Sequence, residues 1–179
     1  MAEIRVTGGE LTGRRLYVPK SSVRPTTGRT REAIFSVLGS VEGARVLDLF
    51  AGSGTLGIEA LSRGAREATF VDSDTRAVTR NLRDLGLSAR VERSDVARWL
   101  SRASSSKSPP TYDLVLCDPP YRLADRLAAD LVHLIPGALA EDGRAAIESS
   151  PERPLDLELP LLTERTYGDT MIRVYGGRR

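Results

Sequence analysis

The chain has 179 residues, 40% of them hydrophobic and 28% charged, with a formal net charge of +2, a composition that predicts one well-buried globular core. Cys117 is the only cysteine, which excludes an intramolecular disulfide or a zinc cluster of thiolates and fits a reducing compartment. The first residues lack the apolar core of a signal peptide, and no stretch is long enough to span a bilayer. We therefore expect a cytoplasmic protein.

The positive charge is concentrated at the N-terminus. Residues 1–31 carry two acidic side chains and seven basic ones, namely Arg5, Arg14, Arg15, Lys20, Arg24, Arg29 and Arg31. Their net charge of +5 leaves −3 for residues 32–179. A basic arm on a mildly acidic body is typical of a surface that binds a polyanion. A solvated surface strand without a partner explains the same charges equally well.

The N-terminal 23 residues predict a small β-hairpin extension, and residues 24–179 predict the main domain. Short apolar segments around Val6 and Leu16 are separated by glycines, as in one or two β-hairpins. So small an extension either packs on the main domain or stays partly mobile until it meets a partner. After a turn, a helix is expected to open at Arg29 or Thr30 and to continue to Leu38.

The main domain alternates strand and helix patterns, which predicts an α/β fold with a parallel sheet and helices on both faces. We expect strands at residues 45–49, 68–72, 90–93, 114–118 and 145–148. Helices are expected at residues 55–63, 75–85, 96–101 and 124–134. Two last strands, at residues 161–167 and 171–175, predict a C-terminal antiparallel hairpin, so that the sheet has seven strands. Residues 104–111 are a polar loop.

A glycine-rich loop follows the first strand of this sheet, at the place where a helix N-terminus receives a ligand. Its sequence, Gly52-Ser53-Gly54-Thr55-Leu56-Gly57, also satisfies the dinucleotide pattern G-x-G-x-x-G, which alone is a weak signal. Acidic residues recur where four successive strands end, at Asp48, Asp72, Asp95 and Asp118. Asp95 is as readily explained as a helix N-cap as by a ligand contact.

Asp48 argues against a dinucleotide, because its carboxylate would repel a pyrophosphate approaching the helix N-terminus. The same carboxylate suits S-adenosylmethionine, whose ammonium and sulfonium groups are cationic. Asp72 follows Gly52 by 20 residues, an offset at which an acid meets a ribose. A hydride-transfer enzyme would also need catalytic groups that are missing: there is no Tyr-x-x-x-Lys, and His133, the only histidine, is expected on a helix surface.

The fourth strand ends in Asp118-Pro119-Pro120-Tyr121. The prolines restrict the backbone and supply no N–H, so that carbonyl groups can face a cleft. A carboxylate and a carbonyl that accept the two N–H groups of a nucleobase amine would raise electron density on its nitrogen and aim it at a methyl group. Tyr121 could stack on an unpaired or extruded base. Pro-Pro-Tyr alone would be equally compatible with a plain turn.

Four stretches of the sequence together carry a family resemblance. Residues 48–61 and 118–121 resemble class I adenosylmethionine-dependent methyltransferases that act on amino groups. Residues 4–16 and 24–38, I-R-V-T-G-G-E-L-T-G-R-R-L and R-P-T-T-G-R-T-R-E-A-I-F-S-V-L, are similar to the bacterial RsmD family. That family methylates N2 of a guanine in 16S ribosomal RNA. The resemblance covers essentially the whole chain and implies a Rossmann-like fold and a 16S rRNA substrate within an assembling or assembled small subunit.

The site residues that follow from the motifs and the resemblance fall into three groups. The expected cofactor contacts are Asp48, Phe50, Gly52, Gly54, Asp72, Ser73, Asp95, Val96 and Asp118. The expected catalytic residues are Asp118, Pro119 and Tyr121. The expected RNA contacts are Arg5, Arg14, Arg15, Arg24, Arg29 and Arg31. No metal is needed, Cys117 is expected as a small buried hydrophobe, and a monomer is expected.

Two other functions stay open. Asp-Pro-Pro-Tyr also suits a DNA methyltransferase acting on adenine N6 or cytosine N4, although a chain of 179 residues has no room for a separate base-reading domain. A noncatalytic RNA-binding assembly factor with a degenerate cofactor fold is the other alternative, and the intact residues 118–121 disfavour it.

Overall fold

A computed structural model describes residues 4–19, 27–120 and 125–177. Its strands are β1 (Ile4–Arg5), β2 (Arg15–Leu16), β3 (Arg45–Leu49), β4 (Glu67–Asp72), β5 (Arg90–Arg93), β6 (Tyr112–Cys117), β7 (Leu139–Ser149), β8 (Leu161–Tyr167) and β9 (Thr170–Gly176). Its helices are α1 (Gly28–Leu38), α2 (Thr55–Ser62), α3 (Arg76–Leu85), α4 (Val96–Ser104) and α5 (Asp125–Ala138).

Seven strands form one sheet in the order β5-β4-β3-β6-β7-β9-β8. Strands β3 to β7 pair in parallel, whereas β9 runs antiparallel to both β7 and β8. The predicted Rossmann-like α/β fold with a C-terminal antiparallel hairpin is therefore confirmed. Within the described part of the chain, no helix combines the length and apolar character that crossing a bilayer requires.

Most predicted elements are present, and the largest differences lie around β7. Strands β3, β5 and β8 have the predicted bounds. Strand β7 begins at Leu139, six residues before the predicted start. The charged residues that follow Leu139 do not form a separate turn; they lie within the strand, where its register with β6 is irregular. Helix α5 passes Pro136 and ends at Ala138. Pro136 has no backbone N–H, so the last turn of α5 has one donor fewer. The helix tolerates this loss in a turn that buries Ala138.

Successive side chains of each strand point to opposite faces of the sheet, so a hydrophobic core lies against each face. On one face, Val46, Phe70 and Leu116 pack with helices α1, α2 and α3. On the other face, residues such as Leu47 and Val115 pack with α4 and α5. The alternation places Asp48 on the first face, beside α2.

The N-terminal hairpin packs on the main domain, which is one of the two outcomes expected for it. Strands β1 and β2 pair antiparallel, and Val6 and Leu16 are buried in the same core as α1 and α2. The predicted boundary between residues 23 and 24 lies outside the described residues. Helix α1 begins one residue before the predicted start, because the side chain of Thr27 caps it by accepting the N–H of Thr30.

A buried carboxylate on α2 fastens the hairpin and α1 to the sheet. Glu59 is fully buried, and its two oxygens accept hydrogen bonds from the Thr7 N–H (2.9 Å) and the Thr7 hydroxyl (2.7 Å). Arg63 donates to it from the next turn at 2.9 Å. The Arg31 guanidinium of α1 lies 3.8 Å away and donates to the Arg5 carbonyl at 2.6 Å. Three segments thus meet at one charge.

Replacing Glu59 by Gln should destabilise the protein by about 3–5 kcal/mol, because the substitution leaves the buried Arg31 charge without its carboxylate. The matched control is Glu67→Gln, which removes a carboxylate from an exposed ion pair with Arg66 and should cost about 0–1 kcal/mol. Urea unfolding of both variants measures the two effects. Similar small losses in both would contradict the role given to Glu59.

Candidate active site

The glycine-rich loop joins β3 to α2 at the carboxyl edge of the sheet, and its backbone is strained. Phe50 has φ = 57°, the only positive φ of a non-glycine residue among those described, and Gly52 and Gly54 have φ = 55° and 77°. Such conformations cost about 1–3 kcal/mol for a side-chain-bearing residue and occur mainly where function requires them. A Cβ at Gly52 would have no neighbour closer than 3.9 Å, so open space lies in front of this turn.

Asp48 holds the loop to the helix from below. It is 2% exposed, and its Oδ2 accepts the N–H of Gly57 at 2.9 Å. A Cβ at Gly57 would overlap the Phe70 ring and come within 2.9 Å of the same oxygen, so glycine is required there. Burial raises the pKa of Asp48 from 3.8 to about 8, the hydrogen bond from Gly57 opposes the rise, and the charges of Asp118 and Asp72 add to it.

Asp72, at the end of β4, braces the loop from the side. Its Oδ2 accepts the N–H of Gly52 at 2.8 Å, and its Oδ1 accepts the N–H of Asp74 at 2.8 Å. The carboxylate is half-buried, and Ser73 beside it is exposed. Asp72 thereby shapes the turn, and its predicted contact with a ribose stays a prediction.

Asn81, which sequence reasoning missed, holds the loop from α3. This residue is 2% exposed. Its Nδ2 donates to the Ser53 carbonyl (2.8 Å) and to the Tyr17 carbonyl (2.9 Å), while its Oδ1 accepts the Tyr17 N–H (2.7 Å). One amide therefore links the glycine-rich loop to the residue that follows β2. Tyr17 also lies under the guanidinium of Arg80, 4.1 Å from ring centroid to Cζ.

Asp95 is the N-cap of α4, which is one of the two explanations that the sequence offered for it, the other being a ligand contact. Its Oδ1 accepts the N–H of Arg98 at 2.9 Å, the N-cap bond of α4. Asp95 itself is exposed and Val96 is buried. The cap does not exclude a ligand contact through the remaining oxygen, so the predicted adenine contact of Asp95 and Val96 stays a prediction.

Asp118 and Pro119 follow β6 directly, between the loop after β3 and the end of β7. Asp118 is half-buried, Pro119 is buried and Pro120 is exposed. The charge of Asp118 contributes to the raised pKa of Asp48. Tyr121 lies outside the described residues. Beside Pro119, a cavity of about 300 Å³ opens between the ends of β6 and β7 and the start of α5.

The predicted RNA contacts divide into three cases. Arg5, Arg14, Arg15 and Arg29 are exposed, and Arg24 lies outside the described residues. The prediction for Arg31 is wrong: the residue is 1% exposed and is held by Glu59 and the Arg5 carbonyl. Its charge neutralises a buried acid instead of reaching a phosphate at the surface.

Cys117 and His133, to which the sequence analysis assigned no catalytic role, lie where it expected them. Cys117 is 1% exposed, and burial raises the pKa of its thiol well above the usual value, which disfavours a reactive thiolate. His133 lies exposed on α5.

The missed residues, Glu59, Asn81 and Ser149, are all polar and buried. Glu59 and Asn81 interrupt the apolar pattern of α2 and α3, which is the signal that could have found them. Their partners lie 52 and 64 residues away in the chain, and no local pattern reveals such contacts. Ser149 is one of two adjacent serines at the end of β7, and nothing in the sequence distinguishes it from Ser150.

The fold and site define a class I methyltransferase. A family model described as Conserved hypothetical protein 95 matches residues 4–176. Ribosomal RNA small subunit methyltransferase D of Escherichia coli K12 is 38% identical over 185 residues, which cover 97% of this chain and 89% of that protein. The same enzyme of Haemophilus influenzae is 32% identical, with coverages of 97% and 93%. The solved structure of TTHA0928 from Thermus thermophilus superposes with a TM-score of 0.82 at 30% identity, covering 97% of this chain and 99% of that one.

The chain therefore belongs to the Conserved hypothetical protein 95 family, the RsmD family, and is a methyltransferase. The resemblance stated from residues 4–16, 24–38, 48–61 and 118–121 is confirmed by this membership. The family match spans the hairpin as well as the sheet, which shows that the hairpin is a regular part of this kind of protein.

The raised pKa of Asp48 predicts a pH dependence of stability. Between about pH 4 and pH 8 the folded protein keeps a proton on Asp48 that the unfolded chain releases, so the free energy of unfolding should fall as pH rises through this window. Asp48→Asn preserves an acceptor for Gly57 and should remove that part of the slope. Urea unfolding of the ligand-free protein across the window measures it.

Asp74→Asn is the control, because Arg76 holds the pKa of that exposed carboxyl below its ordinary value. This substitution should alter the pH dependence only in acid, below about pH 4. An Asp48→Asn protein with the same slope as the wild type would contradict the assignment.

Proposed function

We propose that this enzyme transfers a methyl group from S-adenosylmethionine to N2 of one guanine in 16S ribosomal RNA, acting as a monomer on an assembling or assembled small subunit in the cytoplasm. The observation that carries the proposal is the position of Asp118. It lies at the end of β6, with the glycine-rich loop after β3 on one side and the cavity beside β7 on the other. A methyl donor and an acceptor base can thus meet at one carboxylate.

The loop fits a cationic cofactor. Asp48 is a desolvated carboxyl group whose pKa is raised to about 8, so it keeps its proton in the ligand-free protein, and a nearby ammonium or sulfonium would stabilise its charged form. Open space at Gly52 allows a ligand to approach the backbone closely. Asp72 would accept ribose hydroxyls, and Phe50, Ser73 and the Asp95–Val96 turn would surround the rest of the nucleoside. The cofactor, when bound, supplies an electrophilic methyl group.

Asp118 and Pro119 would hold the acceptor amine. The Asp118 carboxylate and a backbone carbonyl of this turn accept the two N–H groups, which localises electron density on N2 and aims it along the line of transfer. The methylated amine would be more acidic than the free amine, and Asp118 would accept the proton that it loses. Positioning and electrostatics then supply the rate without a covalent enzyme intermediate.

The exposed arginines of the hairpin would bind RNA phosphates. Arg5, Arg14 and Arg15 are exposed beside a segment that Asn81 ties to the glycine-rich loop through Tyr17. RNA held there would lie next to the cofactor side of the site. Arg29, exposed at the start of α1, would extend the same basic surface.

Replacing Asp118 by Ala should reduce methyl transfer about 100- to 1,000-fold, because the amine loses its acceptor, while the affinity for S-adenosylhomocysteine changes little. Asp113→Ala is the matched control, since Asp113 lies near the opposite end of β6, where it pairs with Arg45, and it should keep activity. The assay uses labelled S-adenosylmethionine with 30S particles from cells that lack the enzyme, followed by nucleoside analysis.

N2-methylguanosine as the product supports the proposal. N6-methyladenine or N4-methylcytosine as the product, with DNA as the preferred substrate, would replace it by a DNA amino-methyltransferase. RNA binding without any methylated product would replace it by an assembly factor. Equal loss of cofactor binding and turnover in Asp118→Ala would contradict the role of Asp118.

A triple substitution of Arg5, Arg14 and Arg15 by Gln should weaken RNA binding and lower the slope of log K against log salt by about 2, since each single-stranded phosphate contact contributes about 0.7. Substituting Arg90, Arg102 and Arg165, which are exposed away from the hairpin, is the control with the same charge change. An identical salt slope in the two triple variants would mean that the hairpin arginines are solvated surface residues that do not contact RNA.

A further inference from the structure

The cavity beside Pro119 contains polar groups that the proposed transfer does not use. It has a volume of about 300 Å³ and is lined by the turn after β6, the start of α5 and the segment that follows β7. The volume is at the small end of ligand pockets. Ser149, Ser150 and Arg153 are the polar residues on its β7 side, and Asp125 is on the α5 side.

Ser149 lies beside the proposed amine clamp. Cys117 and Ile147 pair in the parallel register of β6 and β7, so Pro119 and Ser149 lie at the same level, two residues further along each strand. Ser149 is 8% exposed, and its Oγ is buried without a hydrogen-bond partner among the described residues. Such a group is costly to leave unpaired, and rotation about one side-chain bond redirects a serine hydroxyl. A ligand in the cavity would supply the missing partner.

The adjacent hydroxyl has a different use. Ser150 Oγ accepts the N–H of Glu152 at 3.1 Å, and the Ser150 carbonyl accepts the N–H of Arg153 at 3.1 Å. This turn sets Arg153 at the rim of the cavity. Among the residues that the structure describes, only Ser149 of these two serines is therefore without a hydrogen-bond partner.

Arg153 is available to a ligand at little cost. Its guanidinium lies 3.6 Å from the Asp125 carboxylate, and both side chains are mostly exposed, at 68% and 95%. An exposed ion pair of this kind contributes about 0–1 kcal/mol. The guanidinium can exchange Asp125 for a pair of acceptors on a base edge, which an arginine recognises bidentately.

We propose that Ser149 and Arg153 read the guanine whose N2 is held at Asp118, an inference that rests on the proposed function. The polar groups of guanine follow one another around the ring as N2, N1–H, O6 and N7. The protein groups follow in the same order: the Asp118 carboxylate, the Ser149 hydroxyl on the neighbouring strand and Arg153 at the rim. Ser149 accepts N1–H, and Arg153 donates to O6 and N7, the acceptor pair that arginine recognises on guanine. The base enters extruded from its stack.

The test replaces the target guanine by 2-aminopurine, which keeps the N2 amine and N7 but lacks both O6 and the N1–H. Synthetic RNA carrying either base is ligated into the 16S fragment and assayed with full-length enzyme. The wild type should prefer guanine, and Arg153→Met should lower kcat/KM for guanine about tenfold or more while 2-aminopurine changes much less. Arg126→Met removes an exposed charge from the first turn of α5 outside the cavity lining and should leave the preference intact.

The serines give a second comparison on the guanine substrate. Ser149→Ala should lower kcat/KM about five- to tenfold, the effect of one lost hydrogen bond, whereas Ser150→Ala should stay near the wild type. Both variants should bind S-adenosylhomocysteine normally, because the cavity lies on the far side of Asp118 from the cofactor loop.

The two proposals fail in different ways. If the wild type makes N2-methylguanosine but Arg153→Met lowers kcat/KM equally for the guanine and the 2-aminopurine substrate, Arg153 binds a phosphate. The base-reading inference is then overturned. Equal effects of Ser149→Ala and Ser150→Ala overturn the assignment of Ser149. A wild-type enzyme that forms no N2-methylated product on the guanine substrate overturns the proposed function, and the inference with it.

Discussion

The buried charge of Glu59 is the constraint on which the arrangement of the molecule depends. Helix α2 starts at the glycine-rich loop, and Glu59, in its second turn, binds Thr7 of the hairpin and faces Arg31 of α1. A buried acid is tolerable only when hydrogen bonds and an opposite charge compensate it, so these segments can pack on α2 in few other ways. The segment expected to bind RNA is thereby fixed to the helix expected to bind the cofactor.

The strand order then divides the carboxyl edge of the sheet into two regions. The loop after β3 and the acid after β4 lie on one side of Asp118, and the cavity beside β7 lies on the other. Neighbouring strands are separated by about 4.8 Å, so two ligands of nucleoside size can approach one carboxylate from opposite directions. Strand β6 is the fourth of the seven strands, so Asp118 at its end lies near the middle of this edge, where the strand order reverses direction between β3 and β6.

Local sequence patterns predicted most of the fold, whereas long-range polar contacts escaped them. Strands β3 and β5 have the predicted bounds because short apolar runs between turn residues define them, and the loop was found because strand, glycines and helix are contiguous. Arg31 looked like its exposed neighbours, since only its contact with Glu59, 28 residues later, shows that it is buried. Asn81 similarly depends on Tyr17, 64 residues before it. Periodicity indicates which face of an element is buried but not which charge compensates another.

The carboxylates at the carboxyl edge also explain why the loop needs so many internal bonds. Asp48 is desolvated, its pKa is raised further by the charges of Asp118 and Asp72, and the adjoining Phe50 has a strained φ. Each feature opposes folding, and the hydrogen bond from the Gly57 N–H offsets the desolvation of Asp48 only in part. A cation placed among these acids would relieve their mutual repulsion. The site is thus organised so that its own electrostatic strain favours a positively charged ligand, which the glycines alone could not have specified.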